Sequence, residues 1–212
     1  MKALSIEHTR RMLVASANAI IANIPLLTEV DSKIGDGDHG IGMGGGMEKA
    51  KIALEALENP SDINTLYKSM GMAMLNSMGG ASGVIFGTMF LGGVKSMPPL
   101  AELDCEVLKA MQRKSLEAIK ERGKAQVGDK TMVDAYEPAV IAMEKYTGND
   151  LGEMLALAAD AAAQGLEATK GYIAKFGRAK SLMERAVGYQ DAGATSVWII
   201  MSAMRDYVKG LD

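Results

Sequence analysis

Apolar residues recur at helical spacing over most of the chain. Residues 5–29 read as a helix with Ser5 as N-cap and Glu7 and His8 in its first turn. Ile6, Met12, Leu13, Ile20, Ile21 and Ile24 supply its apolar face, and Pro25 bends or ends it. Residues 43–58 form a second helix closed by Asn59-Pro60, because the residue before a proline is pushed out of helical geometry. Ser61 or Asp62 caps a third, in which Ile63, Leu66, Met70, Ala73, Met74 and Leu75 keep the helical period. Residues 82–96 are almost wholly apolar and suit a buried helix or a buried strand; the length favours helix. Residues 102–122, 131–146, 151–169 and 194–208 are four more helical stretches, with Asp150 capping the third of these and Gly210 closing the last. No alternating apolar–polar run of strand length occurs. Short links between the helices favour an antiparallel bundle or helical barrel, and one all-α domain over residues 1–212 is expected.

Composition supports this picture and removes several functions. Hydrophobic residues make up 48% and charged residues 23%, an ordinary globular balance. The formal net charge of −3 leaves no basic field for nucleic acid or anionic lipid, so neither is expected as a partner. The most apolar stretch, residues 84–94, is too short to span a bilayer. With no basic-then-apolar leader at the start, a cytoplasmic protein is expected. A single cysteine, Cys105, cannot form an internal disulfide, and two histidines exclude a His-rich metal site. Seventeen methionines against five prolines and 5% aromatic residues favour helix over strand. The 24 glycines cluster, which points to a few backbone-dominated sites on a helical scaffold.

Those sites fall between the helices, where functional groups tend to sit on a rigid scaffold. They are residues 31–40 (Asp-Ser-Lys-Ile-Gly-Asp-Gly-Asp-His-Gly), 79–83 (Gly-Gly-Ala-Ser-Gly), 123–134 and 177–195, and all four can lie at one end of a bundle. The first holds Asp31, Asp36 and Asp38, with only Lys33 to offset them locally. Gly35 and Gly37 allow a sharp turn that converges the carboxylates, and converged carboxylates repel unless a cation sits between them. Hard oxygen donors without sulfur suit magnesium or calcium. A plain solvated Asp-Gly turn is the competing reading; Asp31 and the flanking His39-Gly40 count against it.

Three motif matches fail on context. Residues 36–40 begin like an EF-hand loop, but Ile41 stands where glycine is required and Met47 where the bidentate glutamate is required. Gly35-x-Gly37-x-x-Gly40 lacks the preceding strand of a dinucleotide fold. Gly123 through Thr131 resembles a phosphate loop one residue too long, which leaves Lys130 out of register. What survives is friendly to phosphate. Ala81, Ser82 and Gly83 open an apolar helix whose amides can face an anion, and Gly40, Gly42 and Gly44 to Gly46 let a ligand approach another. Arg178 can clamp a phosphate bidentately.

Taken in order, the segments Ile34-Gly-Asp-Gly-Asp-His-Gly40, Gly79-Gly-Ala-Ser-Gly83, Phe86-Gly-Thr88, Arg122-Gly-Lys124, Gly128-Asp-Lys-Thr-Met132, Gly177-Arg-Ala179 and Gln190-Asp-Ala-Gly-Ala-Thr-Ser196 resemble the nucleotide-binding L subunits (DAK2-type domains) of dihydroxyacetone kinases. Each segment alone is weak, but the ordered set spans nearly the whole chain. The resemblance implies an antiparallel eight-helix barrel with Mg2+, two ions of it, and ADP or ATP bound at one end. It assigns the metal to Asp31, Asp36 and Asp38. It assigns the nucleotide to His39, Gly40, Ile41, Gly42, Ala81, Ser82, Gly123, Met132, Arg178, Asp191, Ala192 and Gly193. No catalytic residue is expected beyond that site. A separate K subunit would hold the ketose, and in phosphotransferase-coupled systems an M subunit would rephosphorylate bound ADP; a homodimer is compatible with the sequence. Tyr189 and Ala192 depart from the usual histidine and proline, which leaves an ATP-fed kinase for a four-carbon ketose such as erythrulose as an alternative. A nucleotide-binding regulatory subunit is a second alternative, and a metal-stabilised helical scaffold a third.

Overall fold

A computed structural model describes residues 1–211. Among them are nine α-helices: α1 (Ile6–Ala22), α2 (Ile24–Ile34), α3 (His39–Glu55), α4 (Ile63–Ser77), α5 (Gly80–Val94), α6 (Cys105–Gly123), α7 (Val133–Lys145), α8 (Leu151–Ala168) and α9 (Ala192–Lys209). Two short strands, β1 (Ala3–Ser5) and β2 (Glu102–Asp104), pair antiparallel, and two 3-10 segments cover Thr169–Gly171 and Arg178–Ala186. Eight of the helices close into a ring in the order α1, α3, α4, α5, α6, α7, α8, α9 and back to α1, with α2 against the start of α3. Neighbours run antiparallel. Arg10 at the start of α1 reaches the Leu57 carbonyl beyond the end of α3, and His8 meets Tyr207 near the end of α9. Lys120 and Arg113 on α6 pair with Glu137 and Glu144 on α7 in reverse order.

Methionines from most of the ring fill the interior, among them Met12, Met43, Met70, Met89, Met111, Met143, Met154 and Met201. Their unbranched chains adapt to the irregular space inside a ring of helices, and burying each is worth roughly 1.5–3 kcal/mol. The sequence reading of these elements is largely borne out. Ser5, Asp62 and Asp150 cap their helices by accepting from His8, Thr65 and Glu153 backbone amides, and the apolar stretch after Gly80 is a helix.

Four local readings need correction. The first helix does not run through to residue 29: it ends at Ala22, and α2 restarts after Asn23 at a 58° bend, with Pro25 in its first turn where no amide donor is needed. Asp31 therefore lies on a helix, not in a loop. Helix α3 begins at His39 rather than Met43 because its glycines serve close packing. A Cβ at Gly40 would meet Thr28 Oγ1 at 2.3 Å, and one at Gly44 would meet Ile24 Cδ1 at 2.4 Å. Finally, Glu102–Asp104 is a strand ahead of α6, and Asp104 is the true cap, accepting from the Val107 amide. Three-residue strands lie below what alternation can reveal.

No single helix is long and apolar enough to cross a membrane; the α1–α2 pair passes by length and composition only, and α1 buries Met12, Leu13, Ala17 and Ile20 in the protein core. Helices α7 and α8 pack closely, so that a Cβ at Gly165 would sit 2.0 Å from the Asp134 carbonyl oxygen. Gly165→Ala should therefore lower the urea unfolding free energy by about 1–3 kcal/mol or more. Gly171→Ala, where a Cβ would meet open space, should change it by less than about 0.5 kcal/mol.

Candidate functional site

An even, alternating ring places the N-termini of α1, α4, α6 and α8 at one end and those of α3, α5, α7 and α9 at the other. The two ends are treated differently. At the first, all four helices have side-chain caps, from Ser5, Asp62, Asp104 and Asp150. At the second, α9 is capped by its own N-cap residue, Asp191 accepting from the Ala194 amide, while the first amide of α3 donates to Asp31 Oδ2 at 3.3 Å, that of α7 donates to Thr131 Oγ1 at 3.2 Å, and α5 has no side-chain cap. Leaving a helix start without a side-chain cap costs about 1 kcal/mol. The uncapped start of α5, beside the positive dipole ends of α3 and α7, forms a surface suited to an anion.

The four glycine-bearing segments meet at this second end. His39, the first residue of α3, is half-buried; its Nε2 is 2.8 Å from Ser196 Oγ on α9, and its ring lies 6.0 Å from that of Phe86 on α5. Burial holds the His39 imidazole below its ordinary pKa. A Cβ at Gly193 would come within 3.3 Å of Met132, so α7 and α9 start side by side. Thr88 of α5 accepts from Arg122 Nη1 at the end of α6 at 3.1 Å.

Asp31, Asp36 and Asp38 converge as the sequence suggested, with one oxygen of each within 4.8 Å of the others. Gly37 makes the turn, at φ +79°, and Gly35 leaves room for the Asp31 carboxylate, which a Cβ there would meet at 2.4 Å. Asp31 Oδ2 accepts from the Gly37 amide at 2.9 Å and the His39 amide at 3.3 Å. Restricted solvent and the charges of Asp36 and Asp31 push the Asp38 carboxyl above its ordinary pKa, the direction expected of crowded anions.

The cation that offsets them is not Lys33, which lies 3.9 Å from Glu29. It is Arg178, brought from far along the chain: its Nε sits 2.7 Å from Asp36 Oδ2, and one terminal nitrogen lies 3.9 Å from Asp38 Oδ2. An exposed guanidinium standing over three hard oxygen donors marks the place as one that attracts positive charge. The donor set fits a small divalent cation such as magnesium, which prefers carboxylate oxygens and water.

Of the predicted nucleotide residues, Ile41 is 68% exposed and Gly42 opens onto free space, whereas Gly40 faces α2. Ala81 and Ser82 occupy the first turn of α5, Gly123 ends α6, and Met132 is buried at the start of α7. Ala192 and Gly193 open α9 beside Asp191, whose carboxyl burial pushes up to about 7. Three polar residues of this end were not singled out as ligands or supports by sequence reasoning. Ser196 holds His39, Asp134 accepts from the Gly128 and Thr131 amides at 2.6 Å, and Lys130 is fully buried. Their only signal was membership of the recurring segments, since nothing local says which atom each side chain reaches.

Comparison with known proteins agrees with this geometry. The DAK2 domain family matches residues 33–206. The ADP-binding subunit of PEP-dependent dihydroxyacetone kinase 2 from Listeria innocua is 40% identical over 185 residues, covering 86% of this chain and 86% of that one. The L-erythrulose kinase of Pectobacterium atrosepticum is 35% identical over 91% of this chain, which spans 33% of that protein. Among solved structures, the native dihydroxyacetone kinase of C. freundii superposes with a TM-score of 0.73 at 25% identity, covering 93% of this chain and 34% of the kinase. The same kinase in complex with AMP-PNP and Mg2+ superposes with a TM-score of 0.71 at 24% identity.

A carboxyl held above its ordinary pKa keeps its proton more tightly folded than unfolded. The contribution of Asp191 to stability is thus complete below pH about 4 and is lost as pH rises through about 7. Asp191→Asn, which can still cap α9, should flatten the fall in urea midpoint between pH 4 and 8; an unchanged slope would show that another group causes it.

Proposed function

The chain belongs to the DAK2 domain family, and from that membership we propose that it is the magnesium–adenine-nucleotide subunit of a kinase for a small ketose such as dihydroxyacetone, working as one unit over its whole length. The observation that carries this is the convergence of Asp31, Asp36 and Asp38 at the end of the ring where α3, α5 and α7 start, α5 without a side-chain cap. Carboxylates alone would repel a nucleotide's phosphates; with magnesium among them the sign of the field reverses. In this reading Asp31, Asp36 and Asp38 hold the magnesium, two ions of it, which supplies charge neutralisation at the phosphates. The free amides at the start of α5 take phosphate oxygens, and the Arg178 fork pairs with the same group. Ile41, Gly42, Ala81, Ser82, Gly123, Met132 and Gly193 leave space and apolar surface for the nucleoside. His39, tied to Ser196, keeps the entry of α3 fixed.

Phosphoryl transfer then depends on positioning, and the ketose is held by a separate partner subunit. Ile41, Phe176, Met183, Val187 and Tyr189 expose apolar surface on the segments that form this end, where such a partner would cover the reacting groups. Bound ADP rephosphorylated by a phosphotransferase M subunit is the favoured donor arrangement, because the 40% identical relative is a PEP-dependent ADP-binding subunit. The 35% identical L-erythrulose kinase supports a second reading, an ATP-fed kinase for a four-carbon ketose. In either case the work is that of a cytoplasmic enzyme.

Two measurements test the proposal. In nucleotide-free protein with magnesium present, ADP at about 100 times its Kd should stabilise the fold by roughly 2.7 kcal/mol, read as a raised Tm. Asp36→Asn should keep the helical circular dichroism and weaken magnesium-dependent ADP binding by roughly tenfold or more. No ADP effect on melting would sink the nucleotide reading. The nucleotide released on denaturing freshly purified protein separates the donors: retained ADP supports the phosphoprotein-fed scheme, and an empty, exchanging site supports ATP.

A further inference from the structure

Lys130 is among the largest fully buried side chains of the protein, 1% exposed, although a lysine ammonium is costly to remove from water. Its Nζ does not face the carboxylate cluster. It donates to the Thr169 carbonyl at 2.5 Å and to the Tyr189 carbonyl at 2.5 Å. Those carbonyls stand at the two ends of one excursion of the chain, which leaves α8 through Thr169–Gly171, carries Arg178, and returns to α9. Neighbouring bonds close the same base. The Gly188 amide donates to the Lys170 carbonyl at 2.7 Å, and the Asp191 amide donates to Thr169 Oγ1 at 3.0 Å. Beside Lys130, Asp129 holds the outgoing limb: its carbonyl accepts from the Lys175 amide at 3.1 Å, and its carboxylate pairs with Lys175 Nζ at 2.7 Å. Three residues on from Lys175, Arg178 reaches Asp36.

We propose that Lys130 is a positioning residue: its buried ammonium fastens together the two ends of the segment between Thr169 and Tyr189, and so sets where Arg178 stands over the metal-binding carboxylates. The part of this that concerns ligand binding rests on the nucleotide reading above. The residue type suits the task. An ammonium offers three donors from a compact head, two of them are satisfied by the Thr169 and Tyr189 carbonyls, and arginine's planar fork would demand more room. A lysine so engaged has no free reach to phosphate, which separates it from the lysine of a phosphate loop that the local sequence imitates.

The test uses the full chain, nucleotide-free, with Lys130→Met, Arg178→Gln and the double variant. In Lys130→Met, hydrogen exchange at amides 172–189 should accelerate by about tenfold while exchange in α4 stays unchanged. Magnesium–ADP affinity should fall by about tenfold in each single variant, and the double variant should fall no further than the weaker single within about twofold, because both changes remove the same placement of Arg178. Unchanged exchange at 172–189 overturns the proposal. So do affinity losses that multiply in the double variant, which would mean that Lys130 acts on the ligand independently. If Lys130→Met does not fold, Lys130→Gln retains a shorter neutral donor and must show the same exchange change in smaller degree; no change there also overturns it. Failure of the unmodified chain to bind magnesium–ADP would refute the nucleotide reading, while the exchange measurement judges the fastening by Lys130 in either event.

Discussion

A closed ring with an even number of antiparallel helices must gather half of its helix N-termini at each end, and the chemistry of this protein depends on that constraint. At one end the four starts are sealed by Ser5, Asp62, Asp104 and Asp150. At the other, α5 starts without a side-chain cap, and the aligned peptide dipoles of α3, α5, α7 and α9 present positive charge there. The three carboxylates that converge beside them would cancel this attraction for an anion. The two features would be compatible with two divalent cations among the carboxylates, whose combined charge outweighs that of the three acids and favours phosphate.

Placing that charge accurately requires rigid support. The ring supplies it through close helix contacts at Gly40, Gly83 and Gly165, where any side chain would collide with neighbouring backbone, and through a methionine-rich core that conforms to the helices around it. The groups that meet a ligand sit on the short connections at one rim. Arg178 is the exception, carried on a long excursion between α8 and α9 and therefore in need of fastening at its base, where Lys130 and Asp129 lie. Its contact with Asp36 also shows the acidic cluster accepting a cation supplied by the protein itself.

Much of this was legible in the sequence, for physical reasons that differ by residue. Ser5, Asp62 and Asp150 were readable as caps because a cap acts on amides two or three residues away. The convergence of the acidic trio was readable because Asp31, Asp36 and Asp38 lie within one short span with Gly35 and Gly37 between them. The readings that needed correction lacked such local signals. Pro25 marked the bend, but nothing local showed that a second helix continues from it to Ile34, so Asp31 was placed in a loop rather than on α2. Gly40 and Gly42 were placed ahead of a helix starting at Met43 but lie inside α3, where packing of its glycines against Ile24, Thr28 and Met78 outweighs their low helix propensity.

The sequence by itself determined the helical period, the caps, the chemical class of the metal donors, the four segments that form the site and the family to which they belong. Tertiary structure alone decided which partners the charges have. Arg178, not the adjacent Lys33, balances Asp36; Ser196 holds His39; and Lys130, whose surroundings in the sequence imitate a phosphate loop, is buried against two distant carbonyls. The division follows from range. Capping and periodicity are fixed by residues within a few positions of one another, whereas an ion pair or a buried hydrogen bond depends on separation in space, which only the closed ring sets.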